Sequence, residues 1–166
     1  MFQIKNLITK SSIAFFSILI CSCAENKHAY ISEKQNQTST MNKTIIQTDK
    51  APSPIGPYSQ AVMAGNLLFV SGQVAIIPAT GLVLKGDIAA ETKQVMENIH
   101  TILVQAGMGF ENIVKTSIFL KNMDDFAKVN EVYGSNFSGD FPARETVQVS
   151  RLPKDVNVEI SVIAAK

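Results

Sequence analysis

The run Val156-Asn157-Val158-Glu159-Ile160-Ser161-Val162-Ile163 decides how this chain is read. Its apolar residues alternate with polar ones, the period of a strand with one buried face. Glu159 sits inside it. Charged groups on core strands are uncommon, because a buried charge is costly unless it is paired or used. About fifteen residues upstream, Phe141-Pro142-Ala143-Arg144-Glu145-Thr146 places an Arg after a Pro that restricts the backbone, at the head of another strand-like stretch. An Arg that can grip a carboxylate and a Glu that can handle a proton suggest a site for a small acidic metabolite. The competing reading is a structural ion pair between neighbouring strands.

Working outward, the spacing predicts a strand over 44–48, a Pro-rich loop over 51–57, and a hairpin. Its arms are 61–63 and 67–70, around the turn Ala64-Gly65-Asn66, with Ser71-Gly72-Gln73 ending the second arm. Pro78-Ala79-Thr80-Gly81 marks a further turn. Asp87 can N-cap a helix running to Ala106 and closed by Gly107. Ile88, Val95, Ile99, Ile102, Leu103 and Ala106 form its apolar stripe. His100 lies on that helix, and a lone helical His is most simply solvent-facing or a satisfied partner. A strand over 113–120 follows, then a second helix capped by Asn122 or Asp124, with Phe126, Val129, Tyr133 and Phe137 inward. Strands over 145–150 and 156–164 close the chain. This order gives an α+β fold: one mixed β-sheet with both helices on one face. Two helices cannot cover both faces, so the other face is expected to pair with further copies.

Composition narrows the chemistry. The chain has 166 residues and a net charge of +1, so nothing in bulk electrostatics favours nucleic acid. Its two cysteines, Cys21 and Cys23, precede the folded part, which removes disulfides, Cys nucleophiles and Cys-ligated metals. Its two histidines, His28 and His100, build no metal cluster and no Ser-His-Asp triad.

The first 23 residues read as a signal peptide. Lys5 and Lys10 supply a positive start, Ile13 to Ile20 an apolar run, and Ile20-Cys21-Ser22-Cys23 a lipobox-like end with Cys23 as the lipidated residue. Residues 24–43 read as a flexible polar tether and 44–166 as the folded domain. The implied location is outside the cytoplasm, on a membrane through that lipid alone. Translation from Met41 would instead leave the protein cytoplasmic.

Six runs, in order, resemble the RidA (YjgF/YER057c/UK114) family of reactive enamine/imine deaminases. They are Ala51 to Gln60, Val70 to Gln73, Asn112 to Thr116, Asp125 to Asn130, Phe141 to Arg144 and Arg151 to Ile160. The resemblance covers Met41 to Lys166. It implies a chorismate-mutase-like fold, a homotrimer whose sheets form a central barrel, and a cleft at each subunit boundary. It implies hydrolysis of 2-iminopropanoate and 2-iminobutanoate to 2-keto acids and ammonia, with no cofactor and no metal. Carried over by position, Arg144 binds the carboxylate and Glu159 positions the water. Tyr58, Ser71, Gly72 and Asn130 line the cleft. Thr146 stands where the family often has Cys, so its backbone can serve the ligand while thiol regulation there is removed. Two other classes stay open: a trimer that binds metabolites or acts as a chaperone without turnover, and a ribonuclease, which the missing cleft His and near-neutral charge disfavour.

Overall fold

The computed structural model describes residues 42–166. The elements run β1 (Lys43–Ile46), β2 (Ala61–Ala64), β3 (Leu67–Gln73), α1 (Ile88–Gln105), β4 (Ile113–Leu120), α2 (Phe126–Gly134), β5 (Ala143–Gln148) and β6 (Val158–Ala165). Six strands form one sheet in the order β1-β2-β3-β6-β4-β5. Every neighbouring pair is antiparallel except β4 and β5, which are parallel and joined through α2. The expected mixed sheet with two helices on one face is therefore present.

The local chemistry explains the element ends. Asp87 has an extended backbone and accepts the Ala89 amide at 3.0 Å, so it caps α1. Beyond the other end Gly107 adopts φ 70°, and its amide and that of Met108 reach back to Val104 and Leu103. Asn122 caps a short turn at Met123–Asp125 that feeds α2. The helix stripe is buried as its spacing predicts: Val95, Ile99, Ile102 and Leu103 are wholly enclosed. Each such side chain contributes roughly 1.5–3 kcal/mol on burial. They meet Val158, Ile160 and Val162 of β6 and Ile118 of β4 in one core.

The opposite face of the sheet has no helix over it. Phe69 and Val147 lie exposed there, with Phe119 and Ile163 partly covered. Toward its β5 edge Glu145 meets Lys115 and Ser117 of β4.

The signal-peptide and lipoprotein reading is withdrawn. Residues 1–23, Cys23 included, and most of the expected tether at 24–43 lie outside the described residues. No described helix is long and apolar enough to cross a membrane. Strand boundaries also differ. β5 starts two residues earlier than the alternation suggests, pairing from Ala143, and β6 starts two residues later. The run at 153–155 folds as a tight turn with Lys154 and Asp155 at positive φ, which delays the strand.

Candidate active site

The expected site residues fall into two groups, on opposite faces of the sheet. Thr116 on β4 stands directly opposite both Arg144 on β5 and Val162 on β6. Partners in register share a face. Thr116 accepts a hydrogen bond from the Tyr133 hydroxyl of α2 at 3.0 Å, so that face is the helix side. Glu159 instead aligns with Phe119, and it alternates with the buried Val158 and Ile160. It therefore belongs to the uncovered face. β4 lies between β5 and β6, which removes the reading of Arg144 and Glu159 as an ion pair on neighbouring strands.

The first group lines a groove of about 410 Å³ between α2 and β5. Asn130, Tyr133, Gly134, Phe141, Pro142 and Arg144 form its walls. The Arg144 guanidinium lies 5.0 Å from the Tyr133 ring centre and 5.8 Å from that of Phe126. Such stacking holds a planar cation while leaving its edge donors free. Burial pushes the Tyr133 phenol above its ordinary range, with the Thr116 bond and the Arg144 charge pulling the other way. Thr146 follows Arg144 by two residues and shares its face. Its Oγ1 and the Oδ1 of Asn130 are buried without any hydrogen-bond partner. Asn130 lines the groove, and an unpaired buried polar atom costs about 1–3 kcal/mol, so its Oδ1 suits a polar partner there; Thr146 is not among the groove's walls. Asn130 is not the helix residue tied to its own backbone that its position also allowed.

The second group lines a cavity of about 410 Å³. It holds Tyr58, Ser71, Gly72 and Glu159, walled by Pro52, Ile55, Val74, Ile76 and Pro153. The pairing of β3 with β6 slips between Val70 and Gln73, so Ser71 and Gly72 form a bulge. Glu159 packs into it. A Cβ added at Gly72 would overlap the Glu159 carboxyl group, 2.8 Å from its carbon, so only Gly lets the two approach. Ser71 Oγ donates to the Ser59 carbonyl at 2.7 Å and ties the bulge to the Tyr58 loop. The Tyr58 hydroxyl accepts the Ile55 amide at 3.2 Å. Burial alone pushes the Glu159 carboxyl above the ordinary carboxylate range.

Three buried polar residues that shape this region were not singled out from the sequence. Gln60 holds the loop before β2, and Asn98 of α1 donates to the carbonyls of Val74 and Ile76. Glu91 of α1 accepts from the Gly86 amide and from both the amide and side chain of Asn157, just before β6. Asn98 and Glu91 occupy inward positions of the α1 stripe, so polar residues at core spacing were the available signal. Gln60 gave none. His100 is exposed and stacks on Phe110 at 5.0 Å, away from both cavities.

A small α+β domain with a cation-bearing groove on one sheet face and a protonatable carboxyl group on the other is the class this geometry defines. Comparisons with known proteins agree. A family profile described as Endoribonuclease L-PSP matches residues 48–166. A RutC family protein of Pyrococcus horikoshii is 55% identical over 124 residues, covering 75% of this chain and 98% of that one. A mouse protein named 2-iminobutanoate/2-iminopropanoate deaminase is 44% identical over 128 residues, covering 77% and 95%. The crystal structure of E. coli TdcF with bound serine superposes with a TM-score of 0.71 at 41% identity, covering 74% of this chain and 98% of that one. The chain belongs to the RidA (YjgF) family. None of these relatives adds support for a lipid anchor, since the profile match begins at residue 48.

Proposed function

We propose that this protein hydrolyses short 2-imino acids, such as 2-iminopropanoate and 2-iminobutanoate, to 2-keto acids and ammonia, in a cleft shared between copies of the chain. One observation carries this reading: Arg144 and Glu159 lie on opposite faces of a sheet whose second face is uncovered. A second copy laid on that face supplies the missing half. The exposed Phe69 and Val147 favour such a cover, and a closed ring of three would place one cleft at each boundary.

In the cleft, Arg144 forks onto the substrate carboxylate, with Asn130 and Thr146 beside it. Glu159 of the partner subunit faces the imine carbon. It takes one proton from water as the water oxygen bonds to C2 of the protonated imine and the C=N electron pair moves to nitrogen, leaving an uncharged amino group. It then returns that proton to the amino nitrogen. The C–N bond breaks, the hydroxyl oxygen forms the C=O, and ammonia leaves as the hydroxyl proton is released. A carboxyl group with a raised pKa suits both steps, because it holds a proton readily and gives it back. The mouse relative's name and the serine held by the E. coli relative fit a cleft for small carboxylates with nitrogen on the adjacent carbon. Among the described residues a ribonuclease role lacks a histidine general base, since His100 lies outside both cavities.

The test is complementation. Arg144→Ala and Glu159→Ala proteins are assayed alone and after joint unfolding and refolding, with imine supplied by an amino-acid oxidase. Each alone is expected to be inactive. The mixture is expected to regain about a quarter of the wild-type rate, because random pairing leaves that fraction of boundaries intact. No hydrolysis by the wild type, with ligand binding lost in Arg144→Ala and retained in Glu159→Ala, would favour a binding protein without turnover; full hydrolysis by Glu159→Ala would overturn the role given to that carboxyl group.

A further inference from the structure

We propose that Gln60 is a positioning residue whose buried amide clasps the Pro-rich loop over Glu159 and so keeps bulk water off that carboxyl group. The inference rests on the hydrolytic reading of the same cavity.

The loop from Ala51 to Tyr58 supplies Pro52, Ser53, Ile55 and Tyr58 to the cavity wall, yet it belongs to no strand or helix. Something else must hold it. Ile55 is 55% exposed and Tyr58 46%, so apolar burial of the loop's own side chains is weak. Gln60 is 2% exposed and makes the connection instead. Its Oε1 accepts the Thr48 amide at 2.7 Å. Its Nε2 donates to the carbonyls of Thr48 at 2.9 Å, Ala51 at 3.3 Å and Pro52 at 2.9 Å. The stretch that leads into the loop, from Thr48 to Pro52, is thus gathered onto one amide. The backbone carbonyl of Gln60 also accepts the Ser71 amide at 3.0 Å, next to Gly72. One residue therefore connects the loop with the bulge that seats Glu159.

The groups facing Glu159 leave burial as the main lever on its proton. The loop over 51–58 carries no charge and one titratable side chain, Tyr58. β3 brings Ser71, Gly72 and Gln73, and β4 brings Phe119 in register. The turn before β6 brings Pro153, with Lys154 and Asp155 beside it and Asp155 already paired to Arg151. In the assembled cleft Arg144 of the partner subunit acts in the opposite direction, favouring the ionised form. Loosening the loop admits water, removes the burial effect and lowers the Glu159 pKa. Because Glu159 must be ionised to take the water proton, the acid limb of the rate profile moves with it, to lower pH.

The experiment uses the full chain with Gln60→Met, which keeps volume and removes the amide, and Gln60→Asn, which keeps the amide but shortens its reach. The Glu159 carboxyl is titrated by carbon NMR, amide exchange is followed over 52–58, and kcat is measured against pH. The expected result is faster exchange in the loop, a lower Glu159 pKa and an acid limb displaced by the same amount, larger in Met than in Asn. If the Met variant does not fold, the Asn variant decides alone. A folded variant with loop exchange and Glu159 titration as in the wild type overturns the proposal. The titration is independent of turnover, so a wild-type protein that hydrolyses no imine would sink the enzymatic reading and leave the clasp still answerable.

Discussion

The groove around Arg144 and the cavity around Glu159 are built by different means. The groove is made from regular elements. α2 lies over β4 and β5, Tyr133 is bonded to Thr116, and Arg144 stacks on two rings. The cavity is made from irregular backbone: a Pro-rich loop, a bulge and a turn with two residues at positive φ. Regular elements hold a charge in place by packing. Irregular ones need dedicated polar clasps, and Gln60 and Glu91 serve that purpose here. The Arg144 half is held by architecture, and the Glu159 half is held by hydrogen bonds.

The sharpest way to break this contrast is Gly72→Ala. The added methyl meets the flexible end of Glu159, so the fold should survive while the carboxyl is displaced. A fall in kcat of about 100-fold, with circular dichroism unchanged, is expected for a misplacement of this size. A kcat within about twofold of wild type would show that the bulge does not set the geometry. On the other side, Phe126→Ala removes one ring from Arg144. The remaining ring keeps the cation in place, so KM should rise only about three- to fivefold with kcat steady, in line with an exposed cation–π contact. A change confined to kcat would count against a role in carboxylate binding.

The smallest effect is on stability. The folded-state pKa of Glu159 lies above its unfolded value because burial disfavours the ionised form. Its contribution is therefore fully present below the unfolded pKa and is lost as pH rises through the folded one. Glu159→Gln should melt above the wild type at pH about 8, and the gap should close as pH falls below the ordinary Glu value of about 4.3. A gap of reversed sign would mean that Arg144 of the partner subunit outweighs burial in the assembly.

Much of the fold was legible because local chemistry announces it. Asp87 and Gly107 bracket α1, and β4 lies where the alternation at 113–120 places it. The identities of Arg144 and Glu159 stood out as charges on strands. Their placement on opposite faces did not, because it depends on register with β4, and β6 enters the sheet between strands far from it in sequence. The clasp at Gln60 was hidden for a related reason: its partners are carbonyls, which every residue has. The lipoprotein expectation rested on residues that lie outside the described ones.

The position of β6 has a consequence for synthesis on the ribosome. It is the last strand made, yet it lies inside the sheet, flanked by β3 and β4. Until it emerges, β1–β3 and β4–β5 are two ribbons with no common partner and with apolar faces open. Such a nascent chain is a target for aggregation or chaperone capture. Glu159 arrives on that final strand, so its cavity is completed only as the domain closes.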